Sequence, residues 1–357
     1  MPSSKTFIEQ TGIQHPVIQA PMAGVATPEL AAAVTNAGGL GSLGIGASTT
    51  AQARETIEKT QALTVGPFNV NVFCHQPARR DAGAEAAWVQ YLAPLFAEAR
   101  IEPPSSLSEI YTSFIEDDET LEMLLELRPA VVSFHFGMPS AERIAALKKA
   151  GIYTMATATC PAEAAEIEAA GIDAIVAQGI EAGGHRGMFN PDATDERLST
   201  MVLVRLLARQ TALPIIAAGG IMDGHAMKAA LDAGAAAVQL GTAFILCPES
   251  AANEAYRETL KSERAAETRL TKVLSGRPAR GMVNRLISFG EAKGSPPPAD
   301  YPVAYDAVKR LNAAASKLGN HGFAAQWAGQ GAPLARELPA ADLVALILAE
   351  SRGQDLG

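Results

Sequence analysis

One phrase recurs along the chain and constrains its fold more than any other feature. An alanine-rich helical run ends in Ala-Gly and passes at once into a short apolar run. The four instances are TNAGGLGSLG (35–44), KKAGIYTMAT (148–157), EAAGIDAIVA (168–177) and LDAGAAAVQL (231–240). Glycine directly after a helix adopts the left-handed conformation at little cost, so each Ala-Gly predicts a helix end. The runs that follow are uniformly apolar, which is typical of parallel strands buried on both faces.

Eight β runs can be counted in this way. They are VIQAPM (17–22), GLGSLG (39–44), FNVNVF (68–73), AVVSFHFG (130–137), YTMATAT (153–159), AIVAQG (174–179), PIIAAGG (214–220) and AVQLGT (237–242). Helical stretches separate most of them. Eight parallel strands with crossover helices predict an α/β fold of the TIM (β/α)8 barrel type, whose active sites lie at the carboxyl ends of the strands. A doubly wound open sheet is the alternative.

Two long segments, 76–128 and 250–325, do not fit the repeat and are largely helical. Insertions of this length within a compact domain are usually lids or binding elements. We therefore predict that they pack together as a small helical cap over the barrel mouth. The predicted barrel domain consists of residues 1–75, 129–249 and 326–357, and the predicted cap domain of residues 76–128 and 250–325.

Composition narrows the possible partners. Of 357 residues, 48% are hydrophobic and 19% charged, and the net charge is −9. An acidic chain without a basic stripe argues against a nucleic-acid partner. The N-terminal MPSSKTFIEQTG has no apolar core of the signal-peptide kind, and no apolar stretch approaches a membrane span. We expect a cytoplasmic monomer or homodimer that does not bind membranes.

The cysteines and histidines do not suggest a metal site. Cys74, Cys160 and Cys247 are odd in number, far apart and without a CxxC motif, as expected of reduced thiols. No histidine pair has HxxxH or HExxH spacing, so we predict no metal.

The motif GxGxxG at Gly39, Gly41 and Gly44 could be mistaken for a dinucleotide-binding fingerprint. That fingerprint follows a strand and opens a helix, whereas this one follows a helix and coincides with a predicted strand. We interpret these glycines as part of the barrel.

Glycine-rich loops follow the seventh and eighth predicted strands, in AAGGIMDG and QLGTAF. Barrels often bind phosphate at this place, where glycine lets bare backbone N–H groups approach the oxygens. Gly219, Gly220, Gly241 and Thr242 are therefore candidate phosphate ligands. The alternative is that the glycines only form tight turns.

Carboxamides lie on the same predicted rim, at Asn71, Gln178 and Gln239. Each offers a donor and an acceptor, which suits the edge of a flavin ring, so phosphate and carboxamides together suggest FMN. A buried carboxamide can also merely satisfy the backbone. In the loop GIEAGGHRG (179–187), we expect Gly183 and Gly184 to let the chain pass close to a flat ring and deliver His185 over it. The role of the adjacent Arg186 is left open.

The motifs QAPMAG, FNVNVF, SFHFG, QGIEAGGHRG, AAGGI and QLGT, in this order and spacing, resemble those of class I nitronate monooxygenases, formerly called 2-nitropropane dioxygenases. QGIEAGGHRG alone marks a wider flavin-barrel group that includes flavin-dependent enoyl-acyl-carrier-protein reductases, and SFHFG is the narrower signal. The resemblance implies FMN as cofactor. It also implies oxidation of alkyl nitronates, notably propionate 3-nitronate, by O2 to a carbonyl compound and nitrite through a flavin semiquinone.

The resemblance also implies roles for particular residues. His185 corresponds to the family's active-site histidine and His135 to its second histidine. The substrate-binding side chains of the cap correspond to Tyr111, Tyr301, Tyr305 and Lys309. The expected cofactor-binding residues are Pro21, Met22, Ala23, Asn71, Gln178, Gly183, Gly184, Gly219, Gly220, Gln239, Leu240, Gly241 and Thr242.

Other functions remain possible on the same residues. The nearest is an NAD(P)H-dependent reductase of the same flavin barrel, acting on a quinone or an enoyl thioester. A non-catalytic electron carrier and a sugar-phosphate isomerase are more distant alternatives. Rapid bleaching of the flavin by NADH would indicate the reductase, and a colourless protein the isomerase.

Overall fold

The Ala-Gly phrases end helices as predicted. In the computed structural model, which describes residues 2–354, the second residue of each pair has a positive φ: +85° at Gly38, +80° at Gly151, +75° at Gly171 and +114° at Gly234. The left-handed conformation stops each helix and turns the chain into the next strand. Residues 1 and 355–357, the outer ends of the predicted barrel ranges, lie outside the described residues.

The described residues contain eleven strands. They are β1 (Val17–Gln19), β2 (Gly41–Gly44), β3 (Phe68–Phe73), β4 (Val131–His135), β5 (Tyr153–Ala158), β6 (Ala174–Gln178), β7 (Gly184–His185), β8 (Ile215–Ala218), β9 (Ala237–Leu240), β10 (Thr268–Thr271) and β11 (Ala279–Met282). The eight predicted strands form one parallel sheet in the order β1-β9-β8-β6-β5-β4-β3-β2. A parallel bridge between Ile18 and Leu40 joins the first strand to the second and closes the barrel. The TIM-barrel prediction is confirmed.

Several predicted strands extend too far at their carboxyl ends. The run PIIAAGG was predicted to reach residue 220, but β8 ends at Ala218 because Gly219 and Gly220 have φ values of +127° and +69°. Positive φ values leave the β region, so the backbone turns away from the sheet there. The residues beyond each strand end are the ones free to face a ligand.

The described residues also contain thirteen α-helices. They are α1 (Pro2–Thr11), α2 (Pro28–Asn36), α3 (Thr50–Leu63), α4 (Ala82–Glu98), α5 (Asp118–Leu127), α6 (Ala141–Lys149), α7 (Pro161–Ala169), α8 (Thr200–Leu207), α9 (Gly224–Asp232), α10 (Glu254–Lys261), α11 (Arg285–Gly290), α12 (Val303–Ser316) and α13 (Ala340–Ser351). Most begin at a side chain that accepts from the first free N–H groups, as Thr27 does from Leu30 at 3.0 Å.

Two apolar layers hold the barrel together. Inside it, Ile18, Met155 and Ile216 pack with their neighbours in one cluster. A second and larger cluster lies between the strands and the surrounding helices. Gly41 belongs to this outer contact, because a Cβ there would lie 1.9 Å from the carbonyl oxygen of Ala31 in α2. Gly41 thus serves strand–helix packing, whereas a Cβ at Gly44 would meet the backbone of Met22 and Ala23 after β1, so both glycines belong to the barrel as interpreted from the sequence.

The two insertions meet in a separate apolar cluster. It joins Trp88 and Phe96 of α4 to Leu286 and Leu311 of α11 and α12. Helix α5, which the predicted boundaries assign to the cap, packs with the barrel instead, through Met123 and related residues in the outer barrel cluster. The division into two domains stays a prediction, and this packing favours a shorter first insertion.

A small antiparallel sheet ties the second insertion to the loop after β6. Strand β11 lies between β10 and β7, with Ala279 opposite His185 and Arg280 opposite Gly184. The N–H of Arg186 extends the pairing by donating to the carbonyl of Pro278 at 2.8 Å. The backbone of His185 is therefore held by backbone bonds from the insertion, which the sequence alone did not indicate.

Candidate active site

A cavity of about 590 Å³ opens at the carboxyl ends of the barrel strands, between them and the second insertion. All but one of the predicted site residues line it. These are Pro21, Met22, Ala23, Asn71, Tyr111, His135, Gln178, Gly183, Gly184, His185, Gly219, Gly220, Gln239, Gly241, Thr242, Tyr301, Tyr305 and Lys309. Leu240 is the exception, because its side chain lies in the outer barrel cluster and its carbonyl accepts from the N–H of Ala20 at 2.8 Å. The volume lies within the range of small-molecule and cofactor sites.

The loops after β8 and β9 offer donors to an anion. Within residues 2–354, the backbone N–H groups of Gly219, Gly220 and Gly241 have no hydrogen-bond acceptor in the protein. The hydroxyl oxygen of Thr242 accepts from the N–H of Gly329 at 3.0 Å, which leaves its proton for another acceptor. Unpaired N–H groups converging beside glycines fit a phosphate, as the sequence suggested.

The carboxamides of Asn71 and Gln178 are used differently. Asn71 lines the cavity and donates through Nδ2 to the hydroxyl of Ser133 at 2.9 Å, and its Oδ1 accepts no hydrogen bond from residues 2–354. Gln178 donates through Nε2 to the carbonyl of His185 at 3.0 Å, and its Oε1 accepts from the N–H of Gly187 at 2.8 Å. Asn71 therefore has an acceptor free for a ligand, whereas Gln178 mainly holds the following loop.

His185 lies at the centre of an aromatic wall. Its ring centroid is 5.0 Å from that of Trp327, 5.4 Å from Tyr301 and 5.6 Å from Phe136. Its Nε2 is 2.8 Å from the hydroxyl oxygen of Ser275. Burial, together with charge on His135, Arg277 or His75, lowers the pKa of His185 to about 3. The imidazole is therefore neutral at physiological pH.

His135 supports the same loop from the barrel side. Its Nε2 is 3.1 Å from the carbonyl oxygen of His185 and its Nδ1 is 3.0 Å from the hydroxyl of Thr157. A carbonyl only accepts, so Nε2 carries the proton and Nδ1 accepts from the hydroxyl. Burial lowers the pKa of His135 to about 4, which keeps this ring neutral. Both ring nitrogens are thus bonded within the protein.

Glycine is required at each of the two positions before His185 for a different reason. A Cβ at Gly183 would lie 2.5 Å from the backbone nitrogen of Gly329 and 2.6 Å from the carbonyl carbon of Ala328. The expected reason, approach to a flat ring, therefore does not account for Gly183, which packs against protein backbone. Gly184 has a φ of +72°, and a Cβ there would meet nothing within 4 Å, so its conformation is the requirement.

Arg186 fastens the loop and does not face a ligand. It is 3% exposed and makes two bonds of 2.9 Å to the carboxylate of Asp195. A third bond joins it to the carbonyl of Gln178. The question left open by the sequence is answered by these contacts.

The cap contributes one cation and three tyrosines. The Nζ of Lys309 lies 4.9 Å from the ring centroid of Tyr111 and 5.5 Å from that of Tyr305. In the part of the chain that the structure describes, Lys309 has no carboxylate partner within 4.0 Å. Burial lowers its pKa, against a smaller opposing effect of Asp306. Tyr111 comes from the first insertion and Tyr301 and Tyr305 from the second, so the predicted meeting of the two insertions is observed here.

Sequence reasoning missed three residues beside His185: Ser275, Arg277 and Trp327. The guanidinium of Arg277 lies 4.2 Å from the ring centroid of Phe136 and donates to the carbonyl of Met188. Burial lowers the pKa of Arg277 to about 10. None of the three belongs to a recognisable motif, and only the folding of the second insertion brings them to the barrel mouth.

His75, singled out for its position beyond the third strand, does not line the cavity. It is 1% exposed and packs edge-on against Tyr301, with ring centroids 5.1 Å apart. Neither ring nitrogen has a hydrogen-bond partner among the described residues. Burial lowers its pKa to about 4.

Two features of residues 2–354 bear on possible partners. No helix there combines the length and the apolar character that crossing a membrane requires. No group of three or more His, Cys, Asp or Glu side chains comes together there as a metal site would need.

The protein belongs to the class of TIM-barrel enzymes. Its eight-stranded barrel is closed, and a covered cavity that a neutral histidine faces lies at the carboxyl ends of the strands. The sequence model of the family described as nitronate monooxygenase matches residues 4–350, and the chain belongs to this family of oxidoreductases.

Individual relatives agree with this assignment. The chain is 58% identical over 347 residues to a nitronate monooxygenase of Pseudomonas aeruginosa, with 97% of this chain and 99% of the relative covered. Among solved structures, it is similar to a nitroalkane oxidase from Streptomyces ansochromogenes, with a TM-score of 0.88, 40% identity and 98% of each chain covered. It is also similar to FabK from Thermotoga maritima, with a TM-score of 0.73, 28% identity and 98% and 96% covered.

Proposed function

We propose that this enzyme oxidises alkyl nitronates with O2 to a carbonyl compound and nitrite, uses FMN, and prefers a nitronate that carries a carboxylate, such as propionate 3-nitronate. One observation carries the proposal. A single cavity joins unpaired backbone donors at Gly220 and Gly241, the imidazole of His185 and the unpaired ammonium of Lys309. The relatives named nitronate monooxygenase and nitroalkane oxidase support the reaction class.

The residues of the cavity fit both the phosphate end and the ring end of FMN. The phosphate would be held by the N–H groups of Gly219, Gly220 and Gly241 and by the hydroxyl of Thr242, and the ring by the free oxygen of Asn71. When bound, FMN supplies the redox chemistry between the nitronate and O2, which no side chain of this site can perform.

The protein's own part is to bind and orient the substrate. Lys309 pairs with the carboxylate of the substrate, and the hydroxyls of Tyr111 and Tyr305 donate to it. These hydroxyls stay protonated, because burial raises the pKa of both tyrosines, that of Tyr305 to about 12. The insertions cover the reacting end of the substrate and exclude water from it.

The histidines divide the remaining work. His185 contacts the reacting atoms. His135, whose two nitrogens bind Thr157 and the carbonyl of His185, positions that residue. Fixing of the nitro group by His135, which the resemblance suggested, would require it to give up one of these bonds.

The reaction is tested by anaerobic mixing of the purified protein with propionate 3-nitronate and, separately, with NADH, while the flavin absorbance is followed. We expect the nitronate to reduce the flavin rapidly and NADH to leave it oxidised. Cofactor released by denaturation should be FMN. A protein that purifies without flavin would contradict the proposal.

The test variant is His185→Asn. Its control is His225→Asn, since His225 is exposed at the start of α9. His185→Asn should retain FMN and react with the nitronate more slowly, because the side chain that contacts the reacting atoms is replaced. A nitronate has already lost its carbon proton, so the larger factor typical of proton transfer, about 10²-fold, is expected only with a neutral nitroalkane. His225→Asn should behave like the parent. An unchanged rate in His185→Asn would refute its role.

The similarity to FabK of Thermotoga maritima supports a second candidate function, that of a reductase that takes hydride from NAD(P)H. Full bleaching by NADH without oxygen, together with no response to the nitronate, would establish that function instead. The cap would then be an acceptor site.

A further inference from the structure

The hydroxyl of Ser275 is the one group within hydrogen-bond distance of a ring nitrogen of His185 in the described residues. Ser275 is fully buried, and its Oγ lies 2.8 Å from Nε2 of His185. The same oxygen lies 3.2 Å from the carbonyl oxygen of Arg277 and 3.4 Å from the N–H of that residue. One hydroxyl thus stands between an imidazole nitrogen and a backbone carbonyl.

A hydroxyl has a single proton, so only one of two arrangements can hold. If Ser275 donates to the carbonyl of Arg277, its oxygen accepts from His185, and Nε2 carries the ring proton. If Ser275 donates to Nε2 instead, the carbonyl of Arg277 loses its only hydrogen bond among the described residues. Arg277 is 3% exposed, and an unsatisfied buried carbonyl is costly. The first arrangement is therefore favoured.

The other ring nitrogen has the opposite surroundings. Nδ1 of His185 has no hydrogen-bond partner in residues 2–354, yet it is not among the buried atoms sealed from solvent, and His185 lines the cavity. The low pKa of His185 means that the ring carries one proton, not two. A proton fixed on Nε2 leaves the lone pair of Nδ1 facing the cavity.

We propose that Ser275 is a positioning residue that fixes the Nε2–H tautomer of His185 and so makes the cavity-facing Nδ1 a hydrogen-bond and proton acceptor. This deepens the proposed function and rests on it only for the identity of the substrate. In this tautomer neutral His185 cannot donate to the oxygens of a nitronate, which the cap side chains and the cofactor must hold. It can take a proton from the carbon next to a nitro group: the C–H bond breaks, its electron pair stays on the nitronate, and Nδ1 becomes protonated.

The tautomer is measured directly by long-range ¹H–¹⁵N correlation spectra of the holoenzyme labelled with ¹⁵N-histidine, since the pattern of couplings shows which nitrogen bears the proton. His185→Asn assigns the signal. We expect a single Nε2–H pattern in the parent, a substantial Nδ1–H population in Ser275→Ala, and a return to Nε2–H in Ser275→Thr. Thr157→Val serves as the control, because it should change the signal of His135 and leave the tautomer of His185 unaltered.

An Nδ1–H pattern in the parent would overturn the proposal, and so would an unchanged tautomer in Ser275→Ala. If Ser275→Ala fails to fold, as the other histidine signals would reveal, the pattern of the parent alone decides. Nitronate turnover is assayed on the same samples. A protein with the Nε2–H pattern but no nitronate turnover would refute the proposed function and leave the assignment of Ser275 intact.

Discussion

Arg277 is a buried cation beside the cavity and Lys309 an exposed one that lines it, and neither has a carboxylate within salt-bridge distance in the described part of the chain. Burial lowers the pKa of each side chain. Arg186, another buried cation, is paired with Asp195. A buried charge without a partner is costly, so a bound anion would relieve the cost. The sequence located Lys309 through the resemblance of its helix, but Arg277 carries no such signal.

Substrate choice should therefore depend on Lys309. In Lys309→Met, we expect KM for propionate 3-nitronate to rise by about 10-fold or more, since a hydrogen bond to a charged group contributes roughly 1.5–3 kcal/mol. KM for ethyl nitronate, which has no carboxylate, should change little. Steady-state oxygen consumption with each of the two substrates measures both KM values.

The control for this variant is Lys317→Met, because Lys317 is an exposed lysine at the end of the same helix, α12. It should leave both KM values as they are. An equal loss with the two substrates in Lys309→Met would mean that Lys309 does not recognise the carboxylate.

At the scale of elements, the segment from 179 to 199 is held at several points. Strand β7 pairs with β11, Gln178 binds the backbone on both sides of Arg186, and Arg186 binds Asp195. The strand and helix that flank this segment were predictable from periodicity, because their apolar patterns are local. The loop was not, because the strand that pairs with its backbone, β11, lies about 90 positions away along the chain.

Removing the ion pair should loosen this loop. We expect Arg186→Met to lower the free energy of unfolding by about 3 kcal/mol, because the partly buried carboxylate of Asp195 loses its cation and keeps only the N–H of Arg197 as a partner among the described residues. Urea unfolding followed by circular dichroism measures the change. Arg54→Met, which breaks a solvent-screened pair with Glu126, should change the free energy of unfolding much less. Similar losses in the two variants would contradict this view of the loop.

At the scale of the whole molecule, His75, His135 and His185 share one buried region and all have lowered pKa values. The unfolded chain binds protons on these residues below about pH 6.5, whereas the native chain does so only near pH 4 or below. Their contribution to stability is therefore complete above pH 6.5 and is lost as pH falls towards 4. The ring of Phe136, just beyond β4, packs against all three imidazoles, so the effect belongs to the assembled fold.

His75 should account for about 3 kcal/mol of this dependence, because its pKa falls from 6.5 to about 4. We expect His75→Leu to flatten the decline of unfolding free energy between pH 6.5 and 4, measured by urea titration of the FMN-bound protein. His225→Leu, at an exposed position, should keep the slope of the parent. A steep slope retained in His75→Leu would show that this histidine is protonated in the native state.

The sequence by itself determined the barrel, its eight strands and a set of residues that line the cavity. It did so because glycine at helix ends, apolar strands and strand-end motifs are local features that act wherever the chain carries them. Cytoplasmic location, oligomeric state and the domain boundaries stay predictions of the same kind.

Only the tertiary structure decided what each site residue does. Gln178 and His135 could have faced a ligand, but their bonds go to the backbone around His185. Ser275 and Arg277 gain their positions from an insertion that folds across the barrel mouth. The physical reason is that hydrogen-bond partners and burial depend on what lies opposite in space, and a linear sequence does not give that.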